Sequence, residues 1–490
     1  MTHRVRLLLA AVVLIASVES ISLIPFAAMP AAPPAGLPLE PCHVNGLAEE
    51  VLCGVHEVFE DRAAGAGRRL SIHVAVLPAL RRTVQPDPLF LMAGGPGQGA
   101  RGLAGPAGRF FRDIRRSREI VLVDLRGTGA SHPLECDWGG DELASITDAD
   151  AAGAVRRCAA ALDADPRFYT HRESLADLDE IRARLGYERI NLWGGSWGTR
   201  AALLYALRYP AHTRSVVLDG AVPLTLDFPS TASADAQASL DRVIASCMAD
   251  AECLTTYPEP RADLARLLAR LSAGDISITI PHPRTDIPAA VRLSPGVAVD
   301  IIRGALYVPR DAASVMFLVR QAADGNLAPL IAQLVQTASW STEDMAMAAT
   351  MSVLCSEDLP VTTASVTQAA AGSVFGTSYA DSWRARCEAW QAGPRLDESR
   401  DAVSQAPALI LSGGHDPVTP PRTGELMARH FTRHRHIVVD HAAHNTSFSG
   451  CVPQLIAQFI ADGHGDALDA GCVAGVAWPP FVVGTAGSRP

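Results

Sequence analysis

The chain has 490 residues, too many for one compact core, so we expect a large domain with a sizeable insertion or a second domain. Apolar residues make up 48% and charged residues 19% of the sequence, which is typical of a globular protein and not of a disordered one. A net charge of -10 disfavours nucleic acid as a partner, and the absence of lysine excludes Walker-type phosphate loops and Schiff-base chemistry, including pyridoxal attachment.

The N-terminus has the pattern of an export signal. Residues 1–6 are short and basic, residues 7–18 are apolar, and small residues that suit cleavage follow before residue 33. An uncleaved membrane anchor is the alternative, but Glu19 and nearby prolines end the apolar run well short of a membrane span. We therefore expect a signal peptide over residues 1–32. The mature protein is expected to be secreted or periplasmic, without stable membrane association.

Ten cysteines in an exported chain suggest disulfide bonds. They fall as near neighbours, and short loops close easily, so sequential pairing is the simplest prediction, although sequence alone does not fix connectivity. The predicted pairs are Cys42–Cys53, Cys136–Cys158, Cys247–Cys253, Cys355–Cys387 and Cys451–Cys472. No Cys-x-x-Cys pair occurs, so a metal site is disfavoured, and no cofactor is expected.

Strand-like and helical segments alternate through the first half of the chain. The predicted strands are residues 55–59, 70–76, 88–93, 119–124, 190–193 and 215–218. The predicted helices are residues 175–185, which Gly186 stops, and 201–209, which Pro210 closes. Apolar strands without alternation, separated by helices, are typical of a parallel sheet that is covered on both faces.

The pattern changes after about residue 224. Residues 224–405 are mostly helical with proline breaks; strand patterns return at residues 408–412 and 436–439, before a helix at 453–461. A helical stretch between late strands predicts a lid inserted over the C-terminal edge of the sheet. The expected organisation is a core over residues 33–223, a helical cap over 224–405 and the rest of the core over 406–490.

A glycine-flanked serine lies between a predicted strand and a predicted helix. Residues 194–198 read Gly-Gly-Ser-Trp-Gly, with Ser196 at the centre. The small neighbours allow a sharp turn that projects the hydroxyl above the sheet, which is the nucleophile elbow of the α/β-hydrolase fold. A pentapeptide of this kind is weak evidence by itself, and a plain glycine turn is the alternative. Its place between strand and helix favours Ser196 as a nucleophile.

A serine nucleophile needs a base, and the base needs an orienting carboxylate. On this fold the expected chain order is serine, acid, histidine. Asp416 and His444 each follow a predicted strand, where the ligands of open α/β sheets gather. His441 and His415 are rival imidazoles. Order and placement favour Ser196, Asp416 and His444 as the catalytic residues.

An acyl transfer also needs hydrogen-bond donors for the developing oxyanion. One donor should be the backbone N–H of Trp197, directly after the nucleophile. The other should come from the loop at residues 94–97, with Gly95 as the best candidate. An ordinary Gly-Pro turn is the alternative, and Pro96 excludes a dinucleotide-binding fingerprint.

Several segments, in order, resemble the proline iminopeptidase and tripeptidyl aminopeptidase family of α/β-hydrolases. Residues 93–97 resemble its His-Gly-Gly-Pro-Gly loop, 124–131 its Asp-Gln-Arg-Gly-x-Gly-x-Ser segment, and 194–199 its elbow. Residues 413–420 and 444–451 resemble the C-terminal part of the tripeptidyl type. The resemblance implies a helical cap over the site and cleavage of N-terminal residues from short peptides.

The chain departs from the family pattern at two places. Ala93 stands where the family has histidine, which changes the hydrogen bonding of the loop but spares the backbone donor. Ala443 and Asn445 stand where the family has glycine on either side of the catalytic histidine, which leaves the position of that loop open.

The resemblance also implies acidic residues in the cap that bind the free ammonium group of the substrate, a role suited to buried carboxylates. Glu357, followed by Asp358, is the natural candidate, and solvated acids beside a disulfide are the alternative. Asp124 and Arg126 are expected to brace the turn after their strand with an ion pair rather than to take part in catalysis.

The leading hypothesis is therefore an aminopeptidase that forms an acyl-enzyme. A carboxylesterase or lipase acting on small esters uses the same machinery and is the alternative; an acidic lid pocket would favour the peptidase. A catalytically silent binding module is a third possibility, but such a protein would be expected to lose a triad member. Epoxide hydrolases and dehalogenases are disfavoured because they need a carboxylate where this chain has Ser196.

Overall fold

The computed structural model describes residues 36–136, 151–274, 276–281, 286–342, 345–358, 363–394, 398–484 and 487. The signal peptide expected over residues 1–32 lies outside these ranges. None of the helices in the described ranges combines the length and the hydropathy that a membrane crossing requires.

A nine-stranded sheet forms the centre of the described chain. Its strands are β1 Glu40–Cys42, β2 Val51–Phe59, β3 Arg69–Leu77, β4 Leu89–Met92, β5 Ile120–Val123, β6 Ile190–Gly195, β7 Thr213–Asp219, β10 Ala408–Gly413 and β11 His434–Val439. Their order in the sheet is β1-β2-β3-β5-β4-β6-β7-β10-β11. The pairings from β1 to β5 are antiparallel, and all pairings from β5 to β11 are parallel. This is the sheet of an α/β-hydrolase, so the predicted fold class is confirmed.

The parallel strands β4 and β5 are apolar throughout because helices cover both of their faces. Successive side chains of a strand point to opposite faces. Phe90 in β4 accordingly joins one buried cluster, while its neighbours Leu89 and Leu91 join another on the opposite face. Every residue of β4, β5, β6 and β10 is buried, which explains why these segments lack a polar alternation.

The helices of the core flank this sheet. They are α1 Ala104–Phe110, α2 Arg112–Arg115, α3 Ala151–Ala161, α4 His171–Arg184, α5 Trp197–Arg208, α16 Pro421–Ala428 and α17 Val452–Asp462. Short 3-10 turns lie at Ala100–Leu103, Pro166–Phe168, Pro210–His212 and Gly471–Gly475. The helix predicted from residue 201 in fact begins at Trp197, so Ser196 lies at the junction of strand and helix.

The segment between β7 and β10 forms a cap of helices with one hairpin. Its helices are α6 Phe228–Ala249, α7 Ala251–Thr256, α8 Pro260–Ser272, α9 Pro295–Ala305, α10 Pro309–Ala312, α11 Val315–Ala323, α12 Ala328–Thr342, α13 Met347–Glu357, α14 Thr363–Ala370 and α15 Ser378–Glu388. The hairpin pairs β8 Ile276–Pro281 with β9 Pro288–Leu293, and sequence analysis missed it because prolines bound both strands. We propose residues 224–405 as the limits of this cap.

All five disulfides predicted by sequential pairing form. Two of them brace the cap: Cys247–Cys253 joins α6 to α7, and Cys355–Cys387 joins α13 to α15. The second bond fixes α13, which reaches the candidate site, to a neighbouring helix.

Candidate active site

Ser196 occupies a strained turn between β6 and α5. Its φ of 53° and ψ of -123° are rare for a residue other than glycine, and such backbone strain is concentrated at functional sites. The turn is held on both sides: the Ser196 N–H donates to the Asp219 carbonyl at 2.7 Å, and the Ser196 carbonyl accepts from the Thr199 N–H at 2.9 Å. The side chain is only half-buried, so its hydroxyl is accessible.

The glycines of the elbow are required by close backbone approach. A Cβ at Gly194 would collide with the Gly198 carbonyl, and one at Gly198 would collide with the Met92 carbonyl of β4. The first turn of α5 therefore packs directly against neighbouring backbone, which only glycine permits.

His444 and Asp416 form a buried pair. The His444 Nδ1 lies 2.9 Å from Asp416 Oδ2, and the side chains are 7% and 0% exposed. Asp416 Oδ1 accepts the backbone N–H groups of Val418 and Thr419, each at 2.8 Å. The Thr419 hydroxyl donates to Asp416 Oδ2 at 2.7 Å. The carboxylate is thus held by four donors at once.

Burial and charge act in opposite directions on this pair. Burial raises the pKa of Asp416, but the charge and hydrogen bond of His444 outweigh it, and the pKa is lowered. Burial lowers the pKa of His444, but the Asp416 carboxylate and, more weakly, Asp219 raise it above the ordinary value. Asp416 is therefore a carboxylate at neutral pH, and it stabilises the imidazolium form of His444.

The imidazole lies beside the serine turn. A Cβ at Gly220, whose φ is +71°, would lie 3.2 Å from His444 Cε1, so the ring covers this glycine. The preceding residue, Asp219, accepts the Ser196 N–H through its carbonyl. The hydrogen bonds among the described residues do not include one between Ser196 Oγ and His444. Catalytic hydrogen bonds are often long without substrate and tighten when it binds.

Asp219 is a positioning residue that sequence analysis missed. Its fully buried carboxylate accepts the N–H of Thr446 at 2.7 Å, the hydroxyl of Thr446 at 3.1 Å and the N–H of Ser447 at 2.7 Å. It thereby holds the loop that follows His444, while its carbonyl holds Ser196. The only sequence signal was an acid at the end of the strand after the elbow.

Asp219→Asn is expected to lower kcat about a hundredfold, since a displacement of about 1 Å in a reacting group has an effect of this size. An amide would direct its NH2 group at the N–H donors of the His444 loop. Asp87→Asn is the matched control, because the Asp87 carboxylate is also buried and bonded to Arg118 at 3.0 Å but lies before β4, at the opposite end of the strands. Both variants should lower the melting temperature. A kcat as low in the control as in Asp219→Asn would contradict the positioning role.

Asn445 resolves the departure of the histidine loop from the family pattern. Its φ is +63°, a left-handed conformation that asparagine tolerates best after glycine. It therefore provides the backbone geometry for which the family uses glycine.

The two rival histidines have other surroundings. The Nδ1 of His415 lies 2.9 Å from the backbone carbonyl oxygen of Asp440. The centroid of the His415 ring lies 4.2 Å from the centroid of the Trp478 ring. His441 is exposed. Neither has a carboxylate partner like Asp416 among the bonds of the described chain.

The candidate oxyanion donors lie on either side of Ser196. Trp197 is the first residue of α5, so its N–H has no acceptor within the helix. A Cβ at Gly94 would lie 3.2 Å from Ser196 Cβ, which puts the loop of residues 94–97 against the elbow. Gly95 follows with a φ of +109°. We therefore keep the N–H groups of Gly95 and Trp197 as the proposed oxyanion donors.

The cap touches this loop directly. The Ala346 N–H donates to the Gly97 carbonyl at 3.0 Å, and the Thr350 hydroxyl donates to the Pro96 carbonyl. A movement of α13 would therefore move the loop that carries Gly95.

Glu357 and Asp358, at the C-terminal end of α13, are buried and not solvated. Both oxygens of Glu357 contact His171. The backbone N–H of His171 donates to Glu357 Oε1 at 3.0 Å, and the ring Nδ1 of His171 lies 2.5 Å from Glu357 Oε2. Asp358 Oδ1 pairs with Arg200, whose guanidinium lies 4.4 Å from the Trp197 ring. The second oxygen of Asp358 is buried without a hydrogen-bond partner in the described structure.

A cavity of about 30 Å³ lies between α13 and the elbow. Gly94, Trp197 and His171 line it, together with Ala93, which stands where the family has histidine. The space suffices for about two water molecules, so a peptide cannot enter without movement of the walls.

The prediction of an ion pair between Asp124 and Arg126 is wrong. Arg126 instead binds both oxygens of Asp177 in α4, at 2.6 and 2.9 Å. The Asp124 carboxylate accepts the N–H groups of Arg101 and Ala130 at 2.8 and 3.0 Å. The two side chains point to different partners, so each fixes a separate part of the turn.

The fold and this site define a serine hydrolase of the α/β-hydrolase class. The family model described as "alpha/beta hydrolase fold" matches residues 87–290, and that described as "TAP-like protein" matches residues 372–472. The second match begins before residue 406, where the C-terminal part of the core was expected to start.

Relatives agree with these matches. The chain is 24% identical to "Serine protease Hip1" of Mycobacterium tuberculosis, over 88% of this chain and 90% of that protein. It is 29% identical to the tripeptidyl aminopeptidase of Streptomyces lividans, over 43% of this chain and 42% of that one. It is 30% identical to the proline iminopeptidase of Neisseria gonorrhoeae, over 27% and 32%. The chain has the α/β-hydrolase fold and is similar to proline iminopeptidases and tripeptidyl aminopeptidases of that fold.

Proposed function

We propose that the protein is an exported aminopeptidase that releases one or a few N-terminal residues from short peptides. The observation that carries this proposal is the buried pair of acids, Glu357 and Asp358, at the C-terminal end of α13, a helix that lines the same cavity as Trp197. A site for simple esters has no need of buried carboxylates, whereas a free ammonium group requires them.

In this mechanism Ser196 attacks the scissile carbonyl while His444 takes its proton. The Nδ1–H of His444 donates to Asp416, which leaves Nε2 as the base. The N–H groups of Gly95 and Trp197 stabilise the oxyanion. His444 then returns the proton to the leaving amine, and water hydrolyses the acyl-enzyme by the same steps in reverse.

The acid subsite recognises the substrate ammonium through charge. Asp358 is its centre, because its second oxygen has no hydrogen-bond partner among the described residues, whereas both oxygens of Glu357 are engaged by His171. An ammonium group would supply the missing donor. Glu357 acts through His171, whose ring lines the cavity.

Export is supported by the five disulfides, which persist in oxidising compartments. We propose that residues 1–32 are removed as a signal peptide and that the mature enzyme is secreted or periplasmic.

The function is tested with aminoacyl and tripeptidyl nitroanilides, the same compounds with acetylated N-termini, and short-chain nitrophenyl esters. The proposal expects turnover of the free-amine amides and little turnover of the acetylated ones. Turnover of esters alone would overturn it and favour the carboxylesterase.

Asp358→Asn is expected to reduce kcat/KM for free-amine amides, relative to esters, by about 10- to 100-fold, the value of one charge-assisted hydrogen bond. Glu357→Gln should act in the same direction but less strongly, because His171 stands between it and the cavity. Asp381→Asn is the control, since this cap acid is half-exposed and pairs with Arg384. An equal loss of kcat/KM for amides and for esters would exclude a role of both acids in ammonium recognition.

A further inference from the structure

Two arginines of the cap, Arg303 and Arg386, share one nearby carboxylate, that of Asp300, and Arg303 is linked to His444 through Tyr307. Arg303 belongs to α9, and its Cζ lies 3.9 Å from the ring centre of Tyr379 in α15. Arg386 belongs to the same α15, with its Cζ 5.3 Å from the ring of Trp383. The two guanidinium groups thus flank one face of that helix.

The charges of this pair are incompletely compensated. The Nε of Arg303 is buried without a hydrogen-bond partner, and the nearest ion pair in the described structure, to Asp300 Oδ1, is 3.6 Å long. Arg386 makes no ion pair with a carboxylate among the described residues. Burial lowers the pKa of Arg386, against the effects of Tyr379 and Asp300. A single acid therefore faces two cations in a protein whose net charge is -10.

Aromatic rings connect Arg303 to the site. Tyr307, directly after α9, interacts electrostatically with Arg303. The Tyr307 ring meets that of His444 edge-on at 5.3 Å, and its carbonyl accepts the His444 N–H at 3.2 Å. On the other side, Tyr379 contacts Phe228, which contacts Trp197. One ring therefore separates the guanidinium from the imidazole.

The position beside His444 determines which part of the substrate the arginines meet. His444 transfers its proton to the leaving amine. The leaving part of the peptide therefore lies on the side of the imidazole. Tyr307 connects Arg303 to the imidazole on that side, whereas Asp358 pairs with Arg200, which contacts the Trp197 ring. Positive charge on the leaving side and negative charge on the acyl side match the two ends of a short peptide.

We propose that Arg303 and Arg386 bind a carboxylate of the leaving peptide, so that the enzyme selects short peptides with a free C-terminus. A guanidinium binds a carboxylate through two parallel hydrogen bonds, and the Nε of Arg303, which lies 3.6 Å from Asp300 Oδ1 and makes no hydrogen bond among the described residues, is one such donor. This inference rests on the proposed function and names the substrate class of the same site. An acidic side chain in the leaving part would offer the same chemistry.

The test compares peptides that differ only in the leaving part. Tetraalanine and Pro-Ala are each used as the free acid and as the C-terminal amide, and Ala-Ala-Ala-Asp amide supplies a carboxylate on a side chain. We expect kcat/KM for the free acids to exceed that for the amides about tenfold or more, mainly through KM. If Ala-Ala-Ala-Asp amide is hydrolysed as well as the free acids, the subsite accepts a carboxylate on the side chain as well as at the C-terminus. If it is hydrolysed as poorly as the other amides, the subsite is specific for the C-terminal carboxylate.

Substitutions of the two arginines test whether they cause the preference for free acids over amides. Arg303→Gln and Arg386→Gln should each reduce the acid-to-amide ratio, and the double variant should bring it close to one. Arg303→Lys should keep part of the ratio because it retains the charge. Arg384→Gln is the matched control, since Arg384 lies on the same helix as Arg386 and, like Arg303, has a buried Nε without a partner in the described structure, but its Nη1 pairs with Asp381 at 2.8 Å. A ratio near one in the unchanged protein, or one that is the same in the Arg303 and Arg384 variants, would overturn the inference.

Binding to the Ser196→Ala variant separates this inference from the proposed function. Calorimetry with alanyl-alanine and its amide needs no turnover. Tighter binding of the acid, lost in Arg303→Gln, would support the subsite even if only esters are hydrolysed. Equal binding of acid and amide would exclude it even if the aminopeptidase activity is real.

Discussion

Ser196→Ala is expected to lower kcat by about a millionfold, the usual loss when the nucleophile of a serine hydrolase is removed. The turn at Ser196 places this residue against the loop of residues 94–97, whereas the Thr419 hydroxyl near His444 is already donated to Asp416. The melting temperature should change little, since the hydroxyl is half-buried and makes no hydrogen bond among those of the described residues. Steady-state kinetics on the best substrate of the nitroanilide series measures the loss.

Ser412→Ala is the matched control for this variant. Ser412 is a fully buried serine at the C-terminal end of a strand, and its hydroxyl lies 3.0 Å from the Nε2 of His436. It thus shares the serine–histidine contact but lies outside the candidate site. We expect its kcat to stay within about twofold, as for substitutions outside the machinery. A Ser196→Ala enzyme that retained a tenth of the activity would contradict the acyl-enzyme mechanism.

Asp416→Asn is expected to lower kcat by about ten-thousandfold, because an amide does not hold His444 in the required tautomer. It should also shift the pH profile. His444 must be neutral to act as a base, so activity falls as the pH drops through its pKa. Asp416 raises that pKa, and its removal should therefore move the acid limb of kcat/KM to lower pH.

Asp235→Asn provides the comparison for the Asp416 variant. Asp235 is a buried carboxylate of the cap that pairs with Arg422, so its loss tests the cost of removing a buried charge in general. In Asp235→Asn, the acid limb of the kcat/KM profile should remain at the same pH as in the unchanged protein. An acid limb at the same pH in Asp416→Asn and in the unchanged protein would contradict the assignment of the acid.

Much of the fold could be predicted because its signals are local. The apolar runs at β4, β5, β6 and β10 are buried on both faces, so their composition alone marks them as parallel strands. The hairpin of β8 and β9 lacks this signal. Its second strand buries Val291 and Leu293 while Ala290 and Arg292 are exposed, and prolines end β8 and begin β9.

The arrangement of the candidate site could be predicted where the chain order restricts it, and not where side chains pair with residues distant in the sequence. The elbow glycines and the order of Ser196, Asp416 and His444 follow from the class of fold. The partner of Arg126, by contrast, is Asp177, 51 residues away, and nothing in the local sequence distinguishes it from Asp124. The role of Asp219 depends likewise on contacts with residues more than 200 positions later.

The most direct test is labelling with a fluorophosphonate, followed by mass spectrometry of the intact protein and of its peptides. An activated serine forms one covalent phosphonyl adduct, whatever the natural substrate. We expect a single adduct on the peptide that contains Ser196, formed rapidly in the unchanged protein and at a negligible rate in His444→Ala. An adduct on another residue, or labelling of Ser196 at the same rate without the imidazole, would contradict the activation of this serine by His444.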